Sequence, residues 1–217
     1  MPDAQSILSN LRLIANDRIA GAVAWHVAVA LCGLALVFGW RPSRRLAGLL
    51  LSAPVASVGI VAFMHGNPFN GAMFAAIAAV LLGIASRLDP DAAQGGATVD
   101  RIAGAAMIAF AWLYPHFLDA RPPATYLYAA PMGLIPCPTL ALVIGFTLVS
   151  GGLASRAWSF TLAAAGLFYG LFGFFRLRVG LDFFLVAGAL ALLVSPFRLR
   201  RARTEAVSAP LFISHSK

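Results

Sequence analysis

The stretch IAGAVAWHVAVALCGLALVFGW, residues 19–40, runs for 22 positions without a charged side chain. Only His26 in it is strongly polar. At a rise of 1.5 Å per residue it predicts a helix of about 33 Å, enough to cross the ~30 Å hydrocarbon core of a bilayer. A soluble core needs no apolar run of that length, and a secretory signal has a shorter one, so the segment reads as a retained span.

Six further apolar runs follow, at 46–64, 71–86, 102–118, 137–153, 158–175 and 181–197. The 71–86 run is short and is expected to begin inside the preceding loop, near Phe69. None shows the alternating polarity of a transmembrane β-strand. The fold class expected is therefore all-α: a polytopic transmembrane helix bundle of about seven spans. Composition agrees. The 217 residues are 60% hydrophobic and 11% charged, against about 25% charged in a soluble domain.

Three parts are expected: an amphipathic N-terminal segment at 1–18, a single transmembrane helical domain at 19–197, and a basic, mobile C-terminal tail at 198–217. The first rests on Ile7, Leu8, Leu11 and Ile14, which recur at helical spacing among polar neighbours and suit a helix lying on the membrane surface.

The net charge of +8 does not point to nucleic acid, because the arginines form no face. They sit between apolar runs, at Arg41, Arg44, Arg45, Arg87, Arg101, Arg156 and the cluster from Arg198 to Arg203. If the N-terminus is outside, these all fall inside, and only Arg12, Arg18, Arg121, Arg176 and Arg178 fall outside. The positive-inside rule then gives N-out and C-in, in a bacterial cytoplasmic (inner) membrane. Trp40 and Trp158 are expected at the inner interface, and Tyr114, Tyr126 and Tyr128 at the outer one.

That orientation gathers polar residues on the outer side: His65, Asn67 and Asn70, then His116, Asp119 and Arg121, then Cys137, then Arg176, Arg178 and Asp182. His26 lies about 10 Å below the outer end of the first span. Pro136-Cys137-Pro138-Thr139 is the sharpest local motif. Pro138 suits a helix first turn, where its missing N–H costs nothing, with Cys137 as cap. A thiol there is either a reactive or metal-binding group or a small buried residue at a stiffened helix entry. Asp182 is either the ionisable group at a cavity mouth or the partner of Arg176 and Arg178. Gly166 and Gly170 allow a close helix approach, within the chain rather than between chains. Pro54 is a candidate kink.

Several of these segments together resemble a family of functionally uncharacterised bacterial membrane proteins grouped under a domain-of-unknown-function label. They are Asn16-Asp17, Asn67-Pro68-Phe69, Tyr114-Pro115, Pro122-Pro123, the stretch from Gly133 to Thr139, and Asp182. The chain departs from the family pattern at Asn16-Asp17, where the family has Tyr-Asn, and at Asp119-Ala120-Arg121, where it has a Gly-His pair. The resemblance implies a membrane fold and directs attention to Cys137 and Asp182; it implies no substrate.

Some chemistries are excluded. The one lysine is Lys217, so no span can carry a retinal Schiff base. There is no phosphate-binding glycine loop, no Gly-x-Ser-x-Gly and no His-Glu-x-x-His, which leaves an enzymatic role without a motif. The reading favoured is a small-molecule or ion transporter, or a transport accessory subunit, with an outward-facing polar vestibule formed by His65, His116, Asp119, Cys137 and Asp182. One alternative is a membrane redox or metal- or haem-binding protein using His26, His116 and Cys137, since imidazole and thiolate suit zinc, copper or iron. A second is a structural or assembly subunit of a membrane complex. The expected partners are the lipid bilayer, an unidentified small molecule or ion, and a membrane protein or a second copy of the chain. The sequence identifies no cofactor.

Overall fold

The computed structural model describes residues 3–119 and 121–208. Nine α-helices form there: α1 Ala4–Asp17, α2 Ile19–Val37, α3 Arg44–Met64, α4 Pro68–Ala85, α5 Thr98–Leu113, α6 Tyr126–Ala129, α7 Pro136–Val149, α8 Arg156–Leu171 and α9 Phe183–Ser208. Among the described residues there is no strand, only an isolated bridge between Ser43 and Ala92.

Local chemistry sets the helix starts. Ser43, Asn67 and Ser155 each accept a backbone N–H of the first turn of α3, α4 and α8, which satisfies a donor the helix itself leaves unpaired. Pro68 occupies the first turn of α4, so that helix starts before residue 71, as the short apolar run suggested. Between α7 and α8 the chain takes four consecutive left-handed residues, Gly151 to Ala154, with φ of 58°, 67°, 52° and 54°. The two glycines adopt this without steric penalty; Leu153 and Ala154 do not.

α3 and α4 form an antiparallel hairpin, α5 packs along α7, and α8 packs along α9. α7 is the hub, touching α3, α5, α8 and α9. Every residue from Leu140 to Gly145 is buried, which fits a helix that is apolar on all sides. α2 is its opposite. It buries only Ala22 and His26 and leaves Val27, Leu31, Leu34 and Val37 exposed. Similar apolar faces on α3, α4 and α9 (Ile60, Phe63, Val80, Leu190) are uncovered, and such surfaces belong in lipid.

Five segments are long and apolar enough to cross a membrane: Ile19–Val37, Arg44–Met64, Pro68–Ala85, Arg156–Arg176 and Gly180–Arg198. α5 and α7, expected as spans, have 16 and 14 residues, or about 24 Å and 21 Å of helix, short of the ~30 Å hydrocarbon core. α5 begins before its apolar run and stops at Leu113, where Tyr114 leaves helical geometry ahead of Pro115.

Gly166 and Gly170 pack within the chain. A side chain at either would run into Ile144 of α7 or into Ala189 and Val186 of α9. Two aromatic expectations fail. Trp158 is fully buried and donates its indole N–H to Thr147 at 3.1 Å, and Tyr114 is also fully buried. Each has found a polar partner inside the bundle, so neither is an interface anchor. Of the expected tail, 198–208 continues α9, and 209–217 lies outside the described residues.

The up-and-down path gives the bundle two unlike ends. One collects the ends of α3, α5 and α9 with Arg44, Asp89, Asp100 and Arg198. There Arg198 donates to Asp100 at 2.6 Å and Ser195 to the same carboxylate at 3.2 Å. The other end collects His65, Asn67, Tyr114, Cys137, Tyr169 and Asp182, with α1 laid across it.

Candidate functional site

At that second end lies a cavity of about 510 Å³. α1 covers it with Ser6, Ile7, Asn10 and Leu11; Asn67 to Asn70, Cys137, Tyr169, Gly173, Arg176 and Asp182 line the rest. The volume falls in the ~300–1,000 Å³ range of small-molecule sites. Most of the wall is apolar, including Phe69, Phe117, Ile135, Phe172 and Leu177.

Asp182 is the sole acidic residue of the lining and is 1% exposed. It ends a short 3-10 turn, Gly180–Asp182, that feeds α9. Opposite it, α8 finishes in a π-helical turn, Phe172–Arg176, the kind of local widening often found at functional sites. Gly173 in that turn abuts the carboxylate so closely that a Cβ there would overlap Asp182 Oδ2. The Tyr114 hydroxyl donates to Asp182 Oδ1 at 2.8 Å, and the Cys137 thiol faces the same carboxylate.

A second polar chain runs to the cover. The Tyr169 hydroxyl donates to Asn70 Oδ1 at 3.1 Å. The Asn70 backbone N–H donates to Asn67 Oδ1, and Asn67 Nδ2 to Asn10 Oδ1, each at 3.1 Å. Asn10 Nδ2 donates to the His65 carbonyl at 3.0 Å. At the C-terminal end of α1, Asn16 Nδ2 donates to the Phe117 carbonyl at 3.0 Å. Side-chain amides at the middle and the C-terminal end of α1 thus strap it over the cavity, while Leu11 and Ile14 pack beneath it.

Of the five vestibule residues expected, the cavity includes Cys137 and Asp182; His65, His116 and Asp119 do not line it. The His65 ring hydrogen-bonds the Val61 carbonyl at 2.9 Å and approaches Asp17 at 3.9 Å, so it helps hold the cover. His116 packs edge-on against Phe117 at 4.2 Å between centroids. Partial burial, and secondarily Arg12, hold its pKa below the usual histidine value. Asp119 is exposed and shares hydrogen bonds with Asn16.

The metal set is not assembled. Among the described residues no three of His, Cys, Asp and Glu are placed to hold an ion. Both ring nitrogens of His26 face carbonyls, those of Ala22 at 2.9 Å and Trp112 at 3.1 Å, which leaves neither free for a metal. Both cysteines are free thiols. Cys137 is not the cap of α7: the helix starts one residue earlier, at Pro136, with Ile135 as N-cap. The turn is closed by Thr139, whose hydroxyl accepts from Gly133 N–H at 2.8 Å and donates to the Ile135 carbonyl at 2.7 Å. Nor does Asp182 pair with Arg176 or Arg178; the ion pairs among the described residues are Arg44–Asp89, His65–Asp17 and Arg198–Asp100.

Sequence reasoning passed over Tyr114, taken as an interface anchor, and Tyr169, hidden in a helix-packing motif. A signal existed for Asn70, an amide at the entrance of an apolar run two residues after a proline. Comparison with known proteins adds no relative: no family model, no curated protein and no solved structure matches the chain.

Proposed function

We propose that this is a multi-pass protein of a bacterial cytoplasmic membrane, N-terminus outside, that takes a small molecule into the cavity from the outer side and carries it across or hands it to a transporter. One observation carries the reading: a buried carboxylate, Asp182, lines a cavity of ligand size in a bundle whose outer faces suit lipid. An ionisable group in such a setting is costly to keep, and it usually marks a pathway or a binding site. The orientation draws support from the arginines. Arg41, Arg44, Arg45, Arg87, Arg101, Arg156 and Arg198 lie toward the end opposite the cavity, the end the positive-inside rule puts in the cytoplasm.

The test is flux into proteoliposomes, using a panel of radiolabelled amino acids, small amines, carboxylates and alkali cations. Uptake of at least one member is expected, and Asp182→Asn should reduce it at least tenfold while the protein still elutes as a monodisperse species. No flux for any member, or flux indifferent to that substitution, would sink the transport reading.

A further inference from the structure

Two aspartates, Asp100 and Asp182, are buried almost completely, at 0% and 1% exposure. Their surroundings differ. Asp100 has a cation built in, Arg198 at 2.6 Å, and a hydroxyl, Ser195, at 3.2 Å. Asp182 accepts from the Tyr114 phenol at 2.8 Å but, among the described residues, forms no ion pair; Arg176 lines the same cavity without pairing with it. Neutral donors reduce the cost of a buried carboxylate; they do not supply its countercharge. A carboxylate has about four lone-pair sites, so the one Tyr114 donor leaves room for others. Asp182 is among the residues that line the cavity.

A second group is also left open there. Asn70 is 8% exposed and lines the cavity. Its oxygen is engaged by Tyr169, but its Nδ2 has no partner among the described residues. Around both groups stand the rings of Phe69, Phe117 and Phe172, surfaces that favour an apolar body and tolerate a cation over their faces.

We propose that the ligand is a small organic cation, a protonated amine with an apolar body, whose ammonium group forms with Asp182 the ion pair that Arg176, elsewhere in the cavity wall, does not make. The ammonium N–H groups donate to the free lone pairs of the carboxylate. The body lies among the three phenylalanines, and an acceptor on the ligand meets Asn70 Nδ2. An inorganic cation would satisfy the charge but would make no use of the apolar wall. This inference rests on the cavity being the binding site and adds the chemical class of what binds.

The experiment is calorimetric titration of the full chain in detergent with three probes of one size: 2-phenylethylammonium, neutral 2-phenylethanol and 3-phenylpropionate. The ammonium should bind at least tenfold more tightly than the alcohol, and the carboxylate more weakly than both. Asp182→Asn, which is isosteric, should abolish the preference for the ammonium and leave the alcohol unchanged. The wild-type comparison stands even if that variant does not fold. Equal binding of ammonium and alcohol overturns the cation and leaves the cavity reading intact. An effect reproduced by sodium ion alone overturns the organic part. No binding by any probe overturns the proposal, and the cavity reading falls with it only if the flux panel is also silent.

Discussion

Asp100 and Asp182 show how little a residue's identity says about its task. The same side chain at the same depth is pinned by an ion pair where arginine reaches it, and holds only a tyrosine hydroxyl where it lines a cavity. The pin can be tested directly. Arg198→Ala strands a carboxylate in the bundle, and such losses cost roughly 3 kcal/mol, the lower part of the usual range because Arg198 is partly exposed. A clear drop in the thermal unfolding midpoint is expected in detergent, and Asp100→Asn added to it should restore much of the loss. An unchanged midpoint would show that the pair is not needed. Cys137 and Asp182 were legible as candidates because polar groups beside apolar runs are conspicuous in a sequence. Tyr114 was not, because a tyrosine near the end of a run looks the same whether its hydroxyl meets water or a buried carboxylate.

Elements were legible where apolar length alone decides, as in α2, α3 and α4, and less so where packing decides. Helix contacts built on small residues show the limit. The Gly166–Gly170 spacing announces itself, whereas the crossing of Gly104 in α5 with Gly145 in α7 joins two isolated glycines far apart in the chain. A side chain at either would meet the other's carbonyl oxygen. Gly145→Leu should therefore lower stability by about 3 kcal/mol or more, since overpacking against backbone finds no flexible neighbour to yield. Gly33→Leu, at a position with open space around it, should change stability by no more than about 0.5 kcal/mol. Equal effects on the unfolding midpoint would contradict this account of the crossing. The shortness of α5 and α7 was equally hidden, because hydropathy reports what a segment could do in lipid and not whether lipid reaches it.

At the scale of the molecule the two ends differ in charge, and the proposed orientation follows from that difference. In a background lacking Cys32 and Cys137, a cysteine placed at Tyr128, exposed near the cavity end, should react with a membrane-impermeant maleimide added outside intact cells. One at Gly95, in the loop at the opposite end, should react only after the cytoplasmic face is opened. The reverse pattern would invert the assignment. The hub position of α7 has a consequence for how the chain is made. A largely apolar helix of 14 residues opening on Pro136 is too short to be threaded across a ~30 Å hydrocarbon core and halted there unaided. The niche that holds α7 is walled partly by α8 and α9, which leave the ribosome after it. The segment bearing Cys137 therefore lacks part of its niche until those helices arrive, and the cavity is whole only once the stretch carrying Arg176 and Asp182, which also line it, has followed.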